Sequence, residues 1–263
     1  MPPARILFWL ATAGGIVFTV RSVATEPPSL PIAVVCASLY LGLLLCGVLM
    51  LRLRMFADAL VHGPADASGV ALTFDDGPDP EHTREVLDVL AKHDAKATFF
   101  VIGHKAEKYP ELVREIVARG HTVGVHGFAH DRLFSLRGSR RVRKDLERAI
   151  RALEIITDRT PTLFRPPIGH TNPTIARIAD QLELTMVGWS VRARDGLASA
   201  TPKDVVARIA RGLEDGAIVL LHDASERGNR KPAGVTALAE ILDKIAAKNL
   251  RVVPLATWLG AEN

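Results

Sequence analysis

Residues Pro31 to Leu51, PIAVVCASLYLGLLLCGVLML, run twenty-one positions without one charged side chain. As a helix rising about 1.5 Å per residue, the run spans roughly 31 Å, the hydrocarbon thickness of a bilayer. A buried helix in a soluble core is the competing reading. Core helices of that length rarely lack every charge, so a transmembrane helix is expected. A shorter run, Ile6 to Val20, precedes it after Arg5. It reads as a signal-peptide core, with Ser22-Val23-Ala24 as a small-residue cleavage site, or as a first span. The second run follows almost at once across Pro27-Pro28, which favours a helical hairpin. Arg5, Arg52 and Arg54 flank the pair and only Arg21 lies between. The positive-inside bias then places both ends, and everything after residue 54, on the cytoplasmic face of a bacterial inner membrane.

Residues 1–54 are thus expected to be a membrane anchor of one or two helices. Residues 55–68, with Gly63-Pro64 as a turn, read as a connector, and 69–263 as one folded domain. Both cysteines, Cys36 and Cys46, fall inside the apolar run and cannot staple that domain. The net charge of +4 is mild, and no basic stripe interleaved with aromatics occurs, so no nucleic-acid partner is expected. The oligomeric state is left open.

From Gly69 onward, strand-like and helix-like stretches alternate. Strands are expected at 69–74, 97–102, 121–125, 163–164, 185–189, 217–221 and 251–254. Helices are expected at 80–93, 111–119, 140–156, 173–181, 202–213 and 235–248. Such alternation predicts an α/β fold with a parallel sheet, and about seven units suggest a barrel. In barrels of this kind chemistry sits where strands end and loops begin.

The polar residues obey that rule. Thr73-Phe74-Asp75-Asp76-Gly77-Pro78 closes the first strand, and two adjacent carboxylates repel unless a cation or base compensates. Alone, Asp-Gly-Pro would be an ordinary turn. His126 and His130 follow the third strand, four apart, as imidazoles sharing one ion on a helical turn would be. With an acidic neighbour, two histidines and an aspartate suit zinc or a nearby divalent metal. Arg165-Pro166-Pro167 ends another strand, and its prolines stiffen the loop that aims the guanidinium. His222-Asp223 ends the apolar run Ile218 to Leu221, and Asp195 lies beyond Trp189. The basic run Arg137, Arg140, Arg141, Arg143 and Lys144 reads as a solvated helix face, with contact to anionic headgroups as the weaker alternative.

Taken in order, TFDDGPD, HTVGVHGFAH, FRPPIG, WSVRARDG and VLLHD resemble the five motifs of the polysaccharide deacetylase (NodB homology) family, carbohydrate esterase family four. The likeness covers about Gly69 to Leu259. It implies a distorted (β/α) barrel with fewer than eight strands, and it implies roles. Asp76, His126 and His130 would hold a divalent metal, Zn2+ first, with Co2+, Ni2+ or Mn2+ as alternatives. Asp75 would be the base toward the attacking water, paired with Arg165 and kept ionised. His222 would be the acid toward the leaving amine, oriented by Asp195, and a backbone N–H near Ile168 would assist at the oxyanion. Pro166, Pro167, Ile168, Trp189 and Leu221 would contact substrate.

The chain departs from the family pattern at Ile168, where an aromatic is frequent, and at Gly196, where Trp is common. Both bear on the acyl pocket. The resemblance implies a carbohydrate substrate and removal of an N-acyl group, normally acetyl, from an amino sugar. A cytoplasmic domain would meet a lipid-linked or soluble glycan. The alternatives are an inactive sugar-binding protein on the same scaffold and an amidase acting on a non-sugar N-acyl compound.

Overall fold

The structure is a computed structural model and describes residues 1–259; residues 260–263 of the expected domain range lie outside the described residues. Two apolar helices open it, α1 (Pro3–Ala24) and α2 (Leu30–Leu49), each long and apolar enough to cross a membrane. The first is longer than the Ile6–Val20 run, because Pro2-Pro3 starts the helix and it continues through Arg21. The second ends earlier than expected. Leu51 lies in a following 3-10 turn, 4% exposed, and belongs to the core of the folded domain rather than to a span.

The domain follows as β1 (Ala71–Asp75), α3 (His82–Lys92), β2 (Thr98–Val101), α4 (Gly103–Lys108), α5 (Pro110–Ala118), β3 (Thr122–Val125) and α6 (Ser139–Thr157). Then come β4 (Leu163–Phe164), α7 (Pro173–Gln181), β5 (Thr185–Met186), β6 (Val191–Arg192), α8 (Pro202–Gly212), β7 (Ile218–His222) and α9 (Ala233–Ala247). Seven parallel strands form one curled sheet in the order β5-β4-β3-β2-β1-β7-β6, a half-barrel wrapped by helices. The central strands are apolar on both faces, as parallel strands covered by helices must be.

The strand count agrees with expectation, but its membership differs. The stretch 185–189 ends as β5 at Met186, and Val191–Arg192 pairs instead with β7. The expected strand at 251–254 contributes only a single bridge, Val70 to Val252. The expected connector is built into the fold. Leu60 accepts from Gly188 N–H and donates to the Met186 carbonyl, both at 2.8 Å, covering the open edge beside β5. Ala57 and Ala59 are buried beside it.

The hairpin also touches the domain. Arg5 pairs with Asp58 at 3.0 Å and donates to the Met55 carbonyl, while Thr171 N–H donates to the Val48 carbonyl at 3.0 Å.

Candidate active site

Every polar side chain singled out from the motifs reaches the same end of the sheet. Asp75 and Asp76 end β1, His126 follows β3, Arg165 follows β4 and His222 ends β7, where the strands' carboxyl ends point. Register places Asp75 beside His222 on adjacent strands. Three residues here hold left-handed backbone: Asp76 (φ 73°), His130 (φ 48°) and Ile168 (φ 52°). Such strain in non-glycine residues persists where surrounding structure imposes it, and it gathers at functional sites.

Asp76, His126 and His130 each turn one ligand-capable atom inward, and those atoms all lie within 4.8 Å of one another. Asp76 Oδ1 stands 3.2 Å from His130 Nε2 and 3.6 Å from His126 Nε2. The two histidines are not on a helical turn as their spacing suggested. Gly127, with φ of 76°, turns the chain so that a loop brings the rings to a 4.8 Å centroid separation.

The electrostatics suit a cation. His126 Nδ1–H donates to the Arg165 carbonyl at 2.8 Å, which fixes the tautomer and turns the Nε2 lone pair inward. Burial pushes the His126 imidazole down to about 3, and burial with His126 beside it does the same for His130. Both rings therefore favour the neutral form, which leaves each a lone pair to offer a cation. Burial raises Asp76 to about 7, although His222 opposes it, and Asp75 adds to the rise. Its buried Oδ1 has no hydrogen-bond donor. Two neutral imidazoles beside a buried carboxylate oxygen that no donor satisfies fit a divalent metal, which would compensate the burial that raises Asp76, and the N,N,O set leaves positions open.

Around that triad sit two ordered pairs. Arg165, fully buried, donates to Asp75 Oδ1 at 2.7 Å, to Thr73 Oγ1 at 2.8 Å and to the Gly188 carbonyl at 2.8 Å. Its guanidinium lies 4.2 Å from the centre of the Phe100 ring. On the other side His222 Nδ1–H donates to Asp195 Oδ1 at 2.8 Å, and its backbone N–H donates to Asp195 Oδ2 at 2.9 Å. His222 Nε2 then faces Asp76 Oδ2 at 4.0 Å. Burial alone would lower His222, but Asp195, with Asp76 and Asp75 behind it, outweighs burial and raises the imidazole to about 9. One carboxylate held by an arginine and one imidazole favoured in its protonated form thus flank the candidate metal triad, an arrangement able to offer a base and an acid to one reacting centre.

A cleft of about 500 Å³ opens above them, and Ile168 and Trp189 line it. Three expected substrate contacts sit elsewhere. Leu221 is fully buried against the helices while its neighbour Leu220 lines the cleft, because strand alternation turns successive side chains to opposite faces. Pro166 and Pro167 are buried behind the loop and shape it.

Sequence reasoning missed several supports. Thr73 bridges Arg165 to β7, donating to the Val219 carbonyl at 2.7 Å. Lys105 ties the Asp76 and Ser225 carbonyls together at 2.7 and 2.8 Å. Glu226 lies 3.4 Å from His130 Nδ1 and binds Arg132. Lys105 and Glu226 lie outside every motif. Only Thr73, first residue of TFDDGPD, carried a signal.

Comparison with known proteins gives the family. A family model described as polysaccharide deacetylase matches residues 62–187. A Bacillus cereus protein named peptidoglycan-N-acetylglucosamine deacetylase is 34% identical over 199 residues, covering 74% of this chain and 90% of that one. A solved peptidoglycan N-acetylglucosamine deacetylase, bound to an N-oxidanyl-benzamide, superposes with a TM-score of 0.71 at 31% identity, over 75% of this chain and 91% of its own. A family 4 acetyl xylan esterase from Clostridium thermocellum, crystallised with cobalt, gives a TM-score of 0.66 at 32% identity, over 72% and 89%. The chain belongs to the polysaccharide deacetylase family, carbohydrate esterase family four.

Proposed function

We propose that the protein hydrolyses the N-acetyl group of an amino sugar within a glycan, with a divalent metal bound at Asp76, His126 and His130. The observation that carries this reading is the convergence of those three ligands between the Asp75–Arg165 pair and the His222–Asp195 pair. When bound, the metal supplies Lewis-acid polarisation and lowers the pKa of water toward neutrality. Asp75, aimed by Arg165, takes the proton of the attacking water. Backbone N–H groups near Ile168 face the developing oxyanion. His222, protonated and oriented by Asp195, delivers a proton to the leaving amine, which departs poorly otherwise. Ile168 and Trp189 hold the sugar and its acyl group.

The test is acetate release from a panel of N-acetyl amino sugars and non-sugar N-acetyl amines, with and without chelator. Expected is release from the sugars alone, abolished by chelation and restored by Zn2+ or Co2+. Release from the non-sugar amines would favour the amidase reading. Absence of turnover with all four metals, Zn2+, Co2+, Ni2+ and Mn2+, would favour an inactive sugar-binding protein.

Residues 1–54 anchor this domain in a bacterial inner membrane as a hairpin, and 69–263 form the catalytic domain. We assign the domain to the cytoplasmic face from the flanking arginines. The relative named for peptidoglycan argues for the outer face, and Arg5 has a second reason to be basic in its pairing with Asp58.

A further inference from the structure

The cleft mouth carries more positive charge than removal of an acetyl group requires. Arg132, Arg192, Arg194, Arg227 and Arg230 line it. Two of them share one carboxylate, since Arg132 and Arg227 both reach Glu226, at 2.8 and 3.7 Å. The other three have no such partner. Among the described residues, Arg192 and Arg194 meet no carboxylate, and Arg230 donates only to the Gly196 carbonyl. All three are exposed and come from one wall of the cleft, the end of β6 and the loop after β7. Arg192 lies 5.7 Å from the centre of the Trp189 ring, which itself packs against Gly169 of the opposite loop.

Three exposed guanidiniums on neighbouring segments of the rim, none facing a carboxylate, give that side of the cleft a positive field that an anionic group on the substrate would complement. A neutral acetamido sugar offers them no charge. A single carboxylate is satisfied by one guanidinium fork, whereas a phosphate presents enough oxygens for two or three. We propose that the substrate is a phosphorylated N-acyl amino sugar, whose phosphate ester is bound by Arg192, Arg194 and Arg230 while its acylamino group lies over the metal ligands. The proposal rests on the deacetylase reading above and narrows its substrate class.

A second observation concerns where that phosphate is carried. The same rim is docked on the membrane hairpin: Thr171 follows the Ile168-Gly169 loop and bonds the last turn of α2, and Leu51 packs beside Gly188. Ile168 and Leu197 expose apolar surface at the mouth, 37% and 53% exposed. A phosphate ester could therefore come from a soluble sugar phosphate or from the headgroup of a lipid-linked sugar, and the chemistry read by the arginines is the same.

Purified full-length protein in detergent should be assayed for acetate release on tri-N-acetylchitotriose and on tri-N-acetylchitotriose 1-phosphate. Binding of N-acetylglucosamine and of N-acetylglucosamine 1-phosphate should be measured by calorimetry alongside. The expected result is a KM about tenfold lower for the phosphorylated sugar, a difference that shrinks with ionic strength and nearly vanishes in the R192A/R194A double variant. Equal kcat/KM on both sugars, or a preference that survives in R192A/R194A, would overturn the phosphate site while leaving the deacetylase reading standing. Tighter binding of the phosphate with no acetate released would do the reverse. A third arm presents the same sugar phosphate on a prenyl chain in neutral vesicles. A further gain there assigns the phosphate to a lipid carrier, and parity assigns it to a soluble sugar.

Discussion

Asp195 accepts two hydrogen bonds from one residue, from the ring and the backbone of His222, so it fixes both the tautomer and the place of that imidazole. The folded pKa of about 9 lies above the free value of 6.5, so the fold favours the protonated ring. That stabilisation is fully present below about pH 6.5 and is lost as pH rises through about 9. Asp195→Asn removes the raising charge and should move the alkaline limb of the kcat profile to lower pH. An unmoved limb would assign it to another group. His222→Ala should cost about 10²–10⁴ in kcat with metal content retained, whereas His126→Ala should lose metal itself. Metal analysis of both purified variants separates the roles, and equal loss in both would refute the division between acid and ligand. The residues proposed as ligands and as the acid–base pairs were legible in the sequence because they lie at or just beyond strand ends and fall in motifs that resemble one family's. Lys105, Glu226 and the three unpaired arginines were not, since nothing local distinguishes a residue that meets its partner only in space.

Among the elements, α2 and the turn after it mark where the exposed apolar helix ends and the packed domain begins. Leu45 is 50% exposed on the helix, while Leu51, six residues on, is 4% exposed in the domain core. Leu51→Ala should therefore destabilise the domain by about 2–5 kcal/mol, whereas Leu45→Ala should leave its thermal unfolding unchanged. Denaturation of detergent-solubilised protein measures both, and equal effects would contradict this boundary. Hydropathy extended the span to Leu51 because an apolar side chain is equally apolar in lipid and in a core. The split of 185–189 from 191–192 was hidden for a related reason. Two-residue strands carry too few side chains to show a period, and pairing partners alone define them.

At the scale of the whole molecule, the hairpin ends and the cleft share one side of the domain, so whichever face holds the domain also holds the substrate. A reporter active only in the periplasm, fused after residue 259, should stay inactive if the flanking arginines set the orientation. Activity would place the cleft outside, facing the cell wall.

From the sequence alone came the two apolar helices, the helix-strand alternation, and the polar residues near strand ends that the structure gathers into one site. These follow from chain-local quantities: hydropathy over a bilayer's length, side-chain period, and order of motifs. Tertiary structure decided what depends on distance between remote residues. It put Leu220 rather than Leu221 in the cleft, wove Leu60 against the sheet edge, and set three guanidiniums on one wall without a carboxylate. Charges and hydrogen bonds act through space, and only the folded chain fixes those separations.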